Sequence, residues 1–255
     1  MLSVRVVKLG GNELDRPAWL EECARALVAL DPVVVVHGGG RAVSAWSERL
    51  GLPVERRDGL RITTPEIAEV VELVLGGPVN RRVVAALRAA GLDAVGLSGV
   101  DGGLLTARPG ATDLGHVGEI AHVRAALLES FVLAGLTPVI APMAPEVGDG
   151  AAAPRNVNAD DAAAAIAGAL RATELLLVSD VPGVQADGLV QPVLDGGDVD
   201  SLIETGAAAD GMAAKLRAAT AALRAGARAV RIGDLRLLTD PRAGTRILAT
   251  APQPA

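Results

Sequence analysis

Short runs of apolar residues with no polar alternation recur along the chain. A run such as Val33 to Val36 is typical of a strand that is covered on both faces of a sheet, because its side chains point alternately to either face. The pattern predicts strands over residues 4–9, 33–36, 93–97, 137–141, 175–180, 229–232 and 235–238.

Apolar residues at helical spacing fill most of the segments between these runs. Pro17 lies in the first turn of the first such segment, and Asp31-Pro32 ends it. A strand, a helix and a second strand make a βαβ unit, whose right-handed crossover makes the strands parallel. The pattern predicts helices over residues 16–30, 41–50, 65–75, 78–90, 123–134, 162–170, 199–205 and 212–225.

Residues 103–122 are the least periodic stretch. We expect a hairpin over residues 114–119, beside a cleft at the carboxyl edge of the sheet. His116 and His122 do not form a metal-ligand pattern with their acidic neighbours, so we assign no metal to them.

Composition narrows the choice of function. The chain has 255 residues, half of them hydrophobic, which suits one large α/β domain or two lobes that share a sheet. With two Trp, one Phe and no Tyr, it lacks the aromatic side chains of nucleic-acid stacking platforms. The net charge of −6 and the absence of a basic run weigh against nonspecific binding to polyanions.

The single cysteine and the N-terminal sequence bear on the compartment. Cys23 alone cannot form an intramolecular disulfide or a thiolate metal cluster, and its helical spacing with Leu20 and Leu27 predicts a buried position. The chain shows no signal-peptide pattern, and no apolar run approaches the roughly 18 residues of a membrane span. We therefore expect a cytoplasmic protein.

Lys8 and Lys215 are the two lysines among 24 Lys and Arg residues. In a composition so biased towards arginine, a lysine suggests a role that a guanidinium cannot fill, such as a compact point charge on a phosphate. Lys8 ends a predicted strand just before Gly10 and Gly11, although an ordinary edge-strand charge is the alternative. Lys215 lies in the first turn of a predicted helix behind a glycine-containing loop, which is a natural phosphate site.

The second predicted strand ends in His37-Gly38-Gly39-Gly40, where three glycines let the backbone turn sharply and bring N–H groups close to an anion. A similar string forms the oxyanion loop of lipase-type hydrolases. Those enzymes also need a Gly-x-Ser-x-Gly elbow, and the chain has none. For His37, a structural role in fixing the loop is favoured over a general base.

Two polar segments are further candidates for ligand binding. Arg61, with apolar neighbours in a basic segment, is suited to bind a substrate carboxylate, and a solvated hairpin is the alternative. Residues 155–161 hold two of the four asparagines, and Asn158 or Asp160 can cap the next helix. At least one residue there is expected to bind a ligand and orient a lysine.

Eight motifs occur in the order seen in the amino acid kinase family, and they most resemble those of the members that phosphorylate N-acetyl-L-glutamate. The resemblance covers nearly the whole chain. The motifs are Lys8-Leu9-Gly10-Gly11, His37-Gly38-Gly39-Gly40, Asp58-Gly59-Leu60-Arg61-Ile62-Thr63, Leu114-Gly115-His116-Val117-Gly118, Asn156-Val157-Asn158-Ala159-Asp160, Ser179-Asp180-Val181-Pro182-Gly183-Val184, Asp210-Gly211-Met212 with Lys215, and Gly244-Thr245-Arg246-Ile247-Leu248.

The resemblance implies a fold and an activity. The fold is a three-layer α-β-α sandwich with a mainly parallel, roughly eight-stranded central sheet. Residues 1–255 then form one domain, with an N-terminal lobe (about 1–170) for the acyl amino acid and a C-terminal lobe (about 171–255) for ATP. The activity is phosphorylation of the side-chain carboxylate of N-acetyl-L-glutamate by ATP and Mg²⁺ in arginine biosynthesis. An ionised carboxylate needs no general base, so the enzyme must supply alignment and charge neutralisation.

The resemblance also implies roles for single residues. Lys8 and Lys215 stabilise the transferring phosphoryl group, and Asp160 orients both lysines. Gly10, Gly11 and Gly39 donate N–H groups to the phosphoryl oxygens. The residues that bind the acyl amino acid are Gly39, Gly40, Arg61 and Asn156. The residues of the nucleotide-binding loops are Asp180, Val181, Pro182, Gly183, Val184, Gln185, Ala207, Ala208, Ala209, Asp210 and Gly211.

Alternatives stay open at this point. A kinase acting on carrier-protein-linked aminoadipate shares the fold and both lysines. A non-catalytic sensor of nucleotide or amino acid is a further alternative, against which Lys8, Lys215 and Asp160 together argue. Arginine-inhibited family members have an extra N-terminal helix, whereas this chain starts at its first strand. We therefore expect an arginine-insensitive homodimer that binds small molecules and neither nucleic acid nor membrane.

Overall fold

The described part of the chain, residues 3–57, 59–148, 153–186 and 188–249 of a computed structural model, is built around an eight-stranded sheet. From edge to edge, its strands are β14 (Val193–Leu194), β16 (Thr245–Ile247), β15 (Val230–Gly233), β11 (Glu174–Val178), β1 (Arg5–Leu9), β2 (Val33–His37), β8 (Thr137–Ala141) and β5 (Ala94–Ser98). All neighbouring strands are parallel except β15 and β16. The predicted sheet is confirmed.

Helices cover both faces of this sheet. Val34 and Val36 of β2 pack into one core with α5, α6 and α8, whereas Val33 and Val35 pack into a second core with α1, α3 and α4. This confirms the three-layer α/β fold. The helices are α1 (Pro17–Val28), α2 (Gly40–Arg49), α3 (Pro65–Val74), α4 (Asn80–Ala89), α5 (Ala125–Leu133), α6 (Ala159–Ala169), α7 (Gly196–Glu204) and α8 (Asp210–Ala225).

Shorter strands form small sheets outside the central one. One is four-stranded, in the order β6 (Leu105–Pro109), β7 (Val117–Val123), β10 (Arg155–Val157) and β9 (Met143–Ala144). Two are hairpins, β3 (Arg56–Arg57) with β4 (Leu60–Arg61), and β12 (Gln185–Ala186) with β13 (Leu189–Val190).

The middle of the central sheet positions the site. β1 pairs with β2 on one side and with β11 on the other, so Lys8 lies opposite Val36 and Leu177. The three strands therefore end at the same edge, where their loops open a cleft. The sheet is continuous from β2 across β1 to β11, so the segments before and after residue 170 share it.

The predicted strand over residues 235–238 is wrong. Leu235–Leu238 form a 3₁₀ helix, in which the side chain of Asp234 accepts a hydrogen bond from the N–H of Arg236. Leu237 and Leu238 are buried there, and a four-residue run of three leucines and an arginine does not distinguish a strand from a short buried helix. The sheet closes instead with β16, antiparallel to β15.

Two other segments depart from the pattern. Residues 103–122 are more regular than expected, because β6 and β7 pair as one antiparallel hairpin, of which 114–119 contains only part. The predicted helix over 78–90 starts later, since Leu75–Val79 form a π-helical turn around Pro78 before α4 begins at Asn80.

Two statements about single elements complete the fold. Cys23 is fully buried in α1, which confirms its prediction, and burial raises the pKa of its thiol to about 12. Among the helices built from described residues, none combines the length and apolar character needed to cross a lipid bilayer.

Candidate active site

The loops at the carboxyl edge of the central sheet surround a cavity of about 430 Å³. The loops after β1, β2 and β11 contribute to its wall, together with the β3–β4 hairpin and the first turns of α6 and α8. Most of the predicted site residues line it. They are Lys8, Gly10, Gly11, Gly39, Gly40, Arg61, Asn156, Asp160, Asp180, Val181, Gly211 and Lys215.

Two lysines meet one carboxylate in this cleft. Nζ of Lys8 lies 2.9 Å from Oδ1 of Asp160, and Nζ of Lys215 lies 3.2 Å from Oδ2 of the same residue. The side chains of Lys8 and Asp160 are each only 6% exposed, and that of Lys215 is 13% exposed. The predicted association of the three residues is thus observed as a buried charge cluster.

The cluster shifts the protonation of its members. Burial lowers the pKa of Lys8 below its ordinary value, and the attraction of Asp160 opposes this shift. Burial alone would raise the pKa of Asp160, but the ammonium groups of Lys8 and Lys215 outweigh it and hold that pKa below its usual value. Asp160 is therefore an ionised counterion at neutral pH.

Helix ends bring these side chains together. Asn158 caps α6, because its Oδ1 accepts hydrogen bonds from the N–H groups of Asp160 at 2.8 Å and Asp161 at 3.3 Å. This cap fixes the first turn of α6 and with it Asp160. Lys215 lies in the second turn of α8 rather than the first, since the helix begins at Asp210, two residues earlier than predicted.

Glycine loops form the floor of the cleft. A Cβ atom on Gly11 would lie 2.5 Å from the nitrogen of Gly39, so the two loops approach each other more closely than any side chain would allow. Among the described residues, none accepts a hydrogen bond from the N–H groups of Gly10, Gly11 or Gly39. These groups are available to an anion.

Arg61 reaches the cleft from β4. One terminal nitrogen, Nη2, donates to the carbonyl oxygen of Gly40 at 2.8 Å and to Oγ of Ser44 at 2.6 Å. The other, Nη1, is buried without a hydrogen-bond partner. Burial and the nearby charge of Arg56 lower the pKa of Arg61 to about 10, so it stays charged at neutral pH.

Asn156 lies on β10, where its Nδ2 donates to Oγ1 of Thr63 at 3.1 Å. Thr63 follows β4, so this hydrogen bond links the β3–β4 hairpin to the four-stranded sheet. Nη1 of Arg61, buried without a partner, and the amide of Asn156 lie in the same cleft. Together they suit a ligand that carries a carboxylate.

His37 is fully buried at the end of β2. Its Nδ1 lies 2.8 Å from the carbonyl oxygen of Gly38, and its Nε2 lies 3.1 Å from Nδ2 of Asn80. Burial lowers the pKa of His37 to about 4. The predicted structural role, in preference to a general base, agrees with this position.

The remaining predicted nucleotide-loop residues do not line the cavity. Val184 is buried, and its N–H donates to Oγ1 of Thr245 at 2.8 Å, which anchors the loop after β11 to β16. Ala208 is buried before α8, and the side chain of Asp210, like all of Asp58, lies outside the described residues. The others are Pro182, Gly183, Gln185, Ala207 and Ala209.

Sequence reasoning missed three residues of the site. Asn12 lines the cleft, and its Nδ2 lies 3.5 Å from Oδ2 of Asp180 across it. Arg56 also lines the cleft, while Asn80 supports it from below through His37. The sequence contains only four asparagines, and this scarcity is the signal that points to Asn12 and Asn80.

No metal cage is evident in the part of the chain that the structure describes. There, no group of three or more His, Cys, Asp or Glu side chains is arranged to hold a metal ion.

Comparisons with known proteins identify the family. The family model described as amino acid kinase family matches residues 3–234. The chain is 47% identical over 250 residues to an acetylglutamate kinase of Chloroflexus aurantiacus, covering 96% of this chain and 97% of that protein. It is 45% identical over 251 residues to an acetylglutamate kinase of Methanopyrus kandleri, covering 94% and 98%.

Solved structures extend the likeness to three dimensions. The crystal structure of smu.665 from Streptococcus mutans UA159 superposes with a TM-score of 0.85 at 30% sequence identity, covering 96% of this chain and 98% of that one. The chain therefore belongs to the amino acid kinase family.

Proposed function

We propose that the protein catalyses the ATP-dependent phosphorylation of the side-chain carboxylate of N-acetyl-L-glutamate, a step of arginine biosynthesis. The observation that carries this proposal is the pairing of Lys8 and Lys215 with Asp160, beside glycine N–H groups that lack acceptors. The relatives named acetylglutamate kinase, at 45–47% identity over nearly the whole chain, support the same activity.

The acyl amino acid binds on the side of the β3–β4 hairpin. Nη1 of Arg61 and the amide of Asn156 bind the α-carboxylate, which leaves the side-chain carboxylate free to point towards Lys8. N–H groups of the loop at Gly39 and Gly40 complete this half of the site. The N-terminal lobe, about residues 1–170, thus carries the acceptor.

ATP binds on the side of α8, in the C-terminal lobe from about residue 171. Val181 and Gly211 line the cleft there and belong to the two loops inferred for nucleotide binding. Asp180 of the same loops also lines the cleft, and Val184 supports its loop from behind by fixing it to Thr245. The phosphate chain then extends towards the two lysines.

The transfer step needs no proton acceptor. An oxygen of the ionised side-chain carboxylate attacks the γ-phosphorus, the bond from that phosphorus to the bridging oxygen breaks, and ADP leaves with the electron pair. Lys8 and Lys215 neutralise the charge on the phosphoryl oxygens, and the N–H groups of Gly10, Gly11 and Gly39 donate to them. Asp160 supports the charge of Lys8 and aims both lysines at the same point.

A bound Mg²⁺ would supply neutralisation of phosphate charge. It usually binds through substrate phosphates, water and one or two carboxylates, which requires little of the protein. Of the described carboxylates that line the cleft (Glu13, Asp160 and Asp180), Asp180 is the one without an ion pair. It is the residue that would hold the ion, and this donor set fits.

Transfer to a carrier-linked aminoadipate is not favoured, because the relatives reported above are named acetylglutamate kinase. Catalysis by a homodimer is also part of the proposal. Leu73 of α3 and Leu133 of α5 are 57% and 74% exposed and are available to such an interface. Light scattering after size-exclusion chromatography measures this directly.

The decisive experiment is trapping of the acyl phosphate with hydroxylamine. Purified protein with Mg-ATP is supplied with N-acetyl-L-glutamate, L-glutamate or N-acetyl-aminoadipate, and hydroxamate is measured together with ADP. We expect hydroxamate from N-acetyl-L-glutamate at a kcat/KM at least about tenfold above that of the other acceptors, equivalent to about 1.4 kcal/mol. N-acetyl-L-glutamine, which lacks the reacting carboxylate, is the control and should give no product. Absence of hydroxamate from N-acetyl-L-glutamate would defeat the proposal.

A further inference from the structure

His37 is a fully buried titratable residue that does not line the cleft, although it directly precedes the three glycines that do. It contacts two groups. Its Nδ1 lies 2.8 Å from the carbonyl oxygen of Gly38, and its Nε2 lies 3.1 Å from Nδ2 of Asn80. The proposed transfer step has no use for an acid or a base, so these contacts need another explanation.

The partners determine the tautomer of His37. A carbonyl oxygen only accepts hydrogen bonds, so Nδ1 carries the proton. Nδ2 of Asn80 also donates to the carbonyl oxygen of Val139 at 3.0 Å, which identifies that atom as the amide nitrogen. It therefore donates to Nε2 of His37 as well, and the ring is neutral, with its proton on Nδ1. Burial, which lowers the pKa of His37 to about 4, keeps the ring neutral.

The hydrogen bond from His37 acts on the peptide that joins Gly38 and Gly39. The carbonyl of Gly38 and the N–H of Gly39 belong to one planar trans peptide and point in opposite directions. Fixing the carbonyl therefore fixes the N–H. Both flanking residues are glycines, whose backbone is the least restrained by its own side chain, so an external restraint is needed. The N–H of Gly39 has no acceptor among the described residues.

Asn80 is itself held firmly. It is 1% exposed at the start of α4, and its bond to Val139 fixes it to β8. A side chain on Gly96 of β5 would collide with the side-chain oxygen of Asn80, so the sheet leaves room for this amide. A chain of hydrogen bonds thus runs from the sheet through Asn80 and His37 to the loop.

We propose that His37 and Asn80 are positioning residues, which aim the N–H of Gly39 at the transferring phosphoryl group by holding the carbonyl of Gly38. The inference rests on the phosphoryl transfer proposed above. The two nitrogens of the His37 ring have different roles. Nδ1 holds the peptide in place, whereas Nε2 accepts from Asn80 and thereby only selects the tautomer.

The first test is the tautomer itself, measured on the unmodified full chain by long-range ¹H–¹⁵N NMR of the histidine rings. His37→Asn assigns the signal, and His116 and His122 serve as internal references. We expect His37 to be neutral with its proton on Nδ1 and not to titrate between about pH 5 and pH 8, whereas an ordinary histidine titrates near 6.5. A proton on Nε2, or titration near 6.5, would overturn the proposal. This measurement needs no substrate, so it stands if N-acetyl-L-glutamate proves to be the wrong acceptor.

The second test compares two amides at position 37. In His37→Asn the side-chain nitrogen occupies roughly the place of Nδ1, whereas in His37→Gln it reaches the place of Nε2. We expect His37→Asn to keep kcat within about fivefold, and His37→Gln to lose about a hundredfold in kcat, the usual effect of losing one oxyanion donor. KM for ATP and for the acyl amino acid should stay within about threefold in both, because the donor acts in the transition state. Equal losses of kcat in the two variants, at equal unfolding midpoints, would refute a role for Nδ1.

Discussion

The ammonium nitrogen of Lys8 lies 2.9 Å from Oδ1 of Asp160, and both side chains are almost completely buried. Lys215 approaches the second oxygen of the same carboxylate at 3.2 Å. Two positive charges and one negative charge leave a single positive charge in a site of low polarity. Such a cluster attracts an anion strongly, because buried charges are poorly screened by water.

Replacing the counterion should move the pH dependence of the reaction. Burial already lowers the pKa of Lys8, and Asp160 is the group that opposes this. In Asp160→Asn the pKa of Lys8 falls further, and Lys8 loses its proton at a lower pH. Since transfer requires the ammonium form, the alkaline limb of the kcat profile should move to lower pH than in the unchanged protein.

The measurement is kcat against pH at saturating Mg-ATP and acceptor. Asp200→Asn, the same exchange at an exposed position of α7 away from the cleft, is the matched control and should keep the alkaline limb in place. An alkaline limb at the same pH in Asp160→Asn and in the unchanged protein would mean that Asp160 does not support the charge of Lys8.

Conservative replacement of either lysine should abolish most turnover. Lys8→Arg and Lys215→Arg keep the charge, but a planar fork does not fit the compact site beside Asp160. We expect each variant to lose about a hundredfold to a thousandfold in kcat, as when one preorganised charge donor is removed. Far-UV circular dichroism should be unchanged.

Arg224→Lys, in the last turn of α8 and exposed, exchanges the same residue types away from the cleft and should be fully active. Near-normal rates for both lysine variants would remove the lysines from the reaction.

Removing the arginine of the hairpin should weaken binding of the acceptor. Arg61 has a buried Nη1 without a partner, and a charged hydrogen bond to a carboxylate is worth about 1.5–3 kcal/mol. Arg61→Ala should therefore raise KM for N-acetyl-L-glutamate by about 10- to 100-fold and leave KM for ATP nearly unchanged.

Arg57→Ala provides the comparison, because Arg57 lies on the same hairpin but is exposed and paired with Asp113. It should leave both KM values unaltered. If Arg61→Ala changed only KM for ATP, the acyl amino acid would have to bind elsewhere.

Much of the fold follows from apolar patterning. The four valines of the run Val33 to Val36 are β-branched, which favours a strand, and alternate valines pack into the two separate cores. The run Leu235–Leu238 contains Arg236 and no β-branched residue, and it folds as a 3₁₀ helix that Asp234 caps. Patterning therefore succeeds where the residue types of an apolar run also favour a strand.

The site was predicted as far as rare residue types revealed it. Lys8 and Lys215 stood out by scarcity, and the structure brings both to Asp160. The bond between Asn80 and His37 joins residues from separate elements and depends on room left by Gly96. No local spacing encodes such a tertiary contact, so the sequence predicts a structural role for His37 but not its pairing with Asn80.

Burial of neutral His37 should make stability depend on pH with a definite sign. Its pKa is about 4 in the folded protein, against about 6.5 for an unperturbed histidine, so the unfolded chain binds more protons between these values. The contribution is fully present above pH 6.5 and is lost as pH falls towards 4. Over this range it amounts to about 3 kcal/mol, at 1.36 kcal/mol per pKa unit.

His37→Asn lacks this titration, while every other ionisable group is common to both proteins. The difference in unfolding free energy between the unchanged protein and the variant, measured with urea from about pH 7 to pH 4.5, should therefore shrink by about 2–3 kcal/mol as pH falls. A difference that stayed constant would mean that His37 has the same pKa in the folded and the unfolded protein, so that it becomes protonated in the folded protein below about pH 6.5. Since an imidazolium would donate from both nitrogens, Asn80 would then have to turn its oxygen towards the ring and give up its bond to Val139.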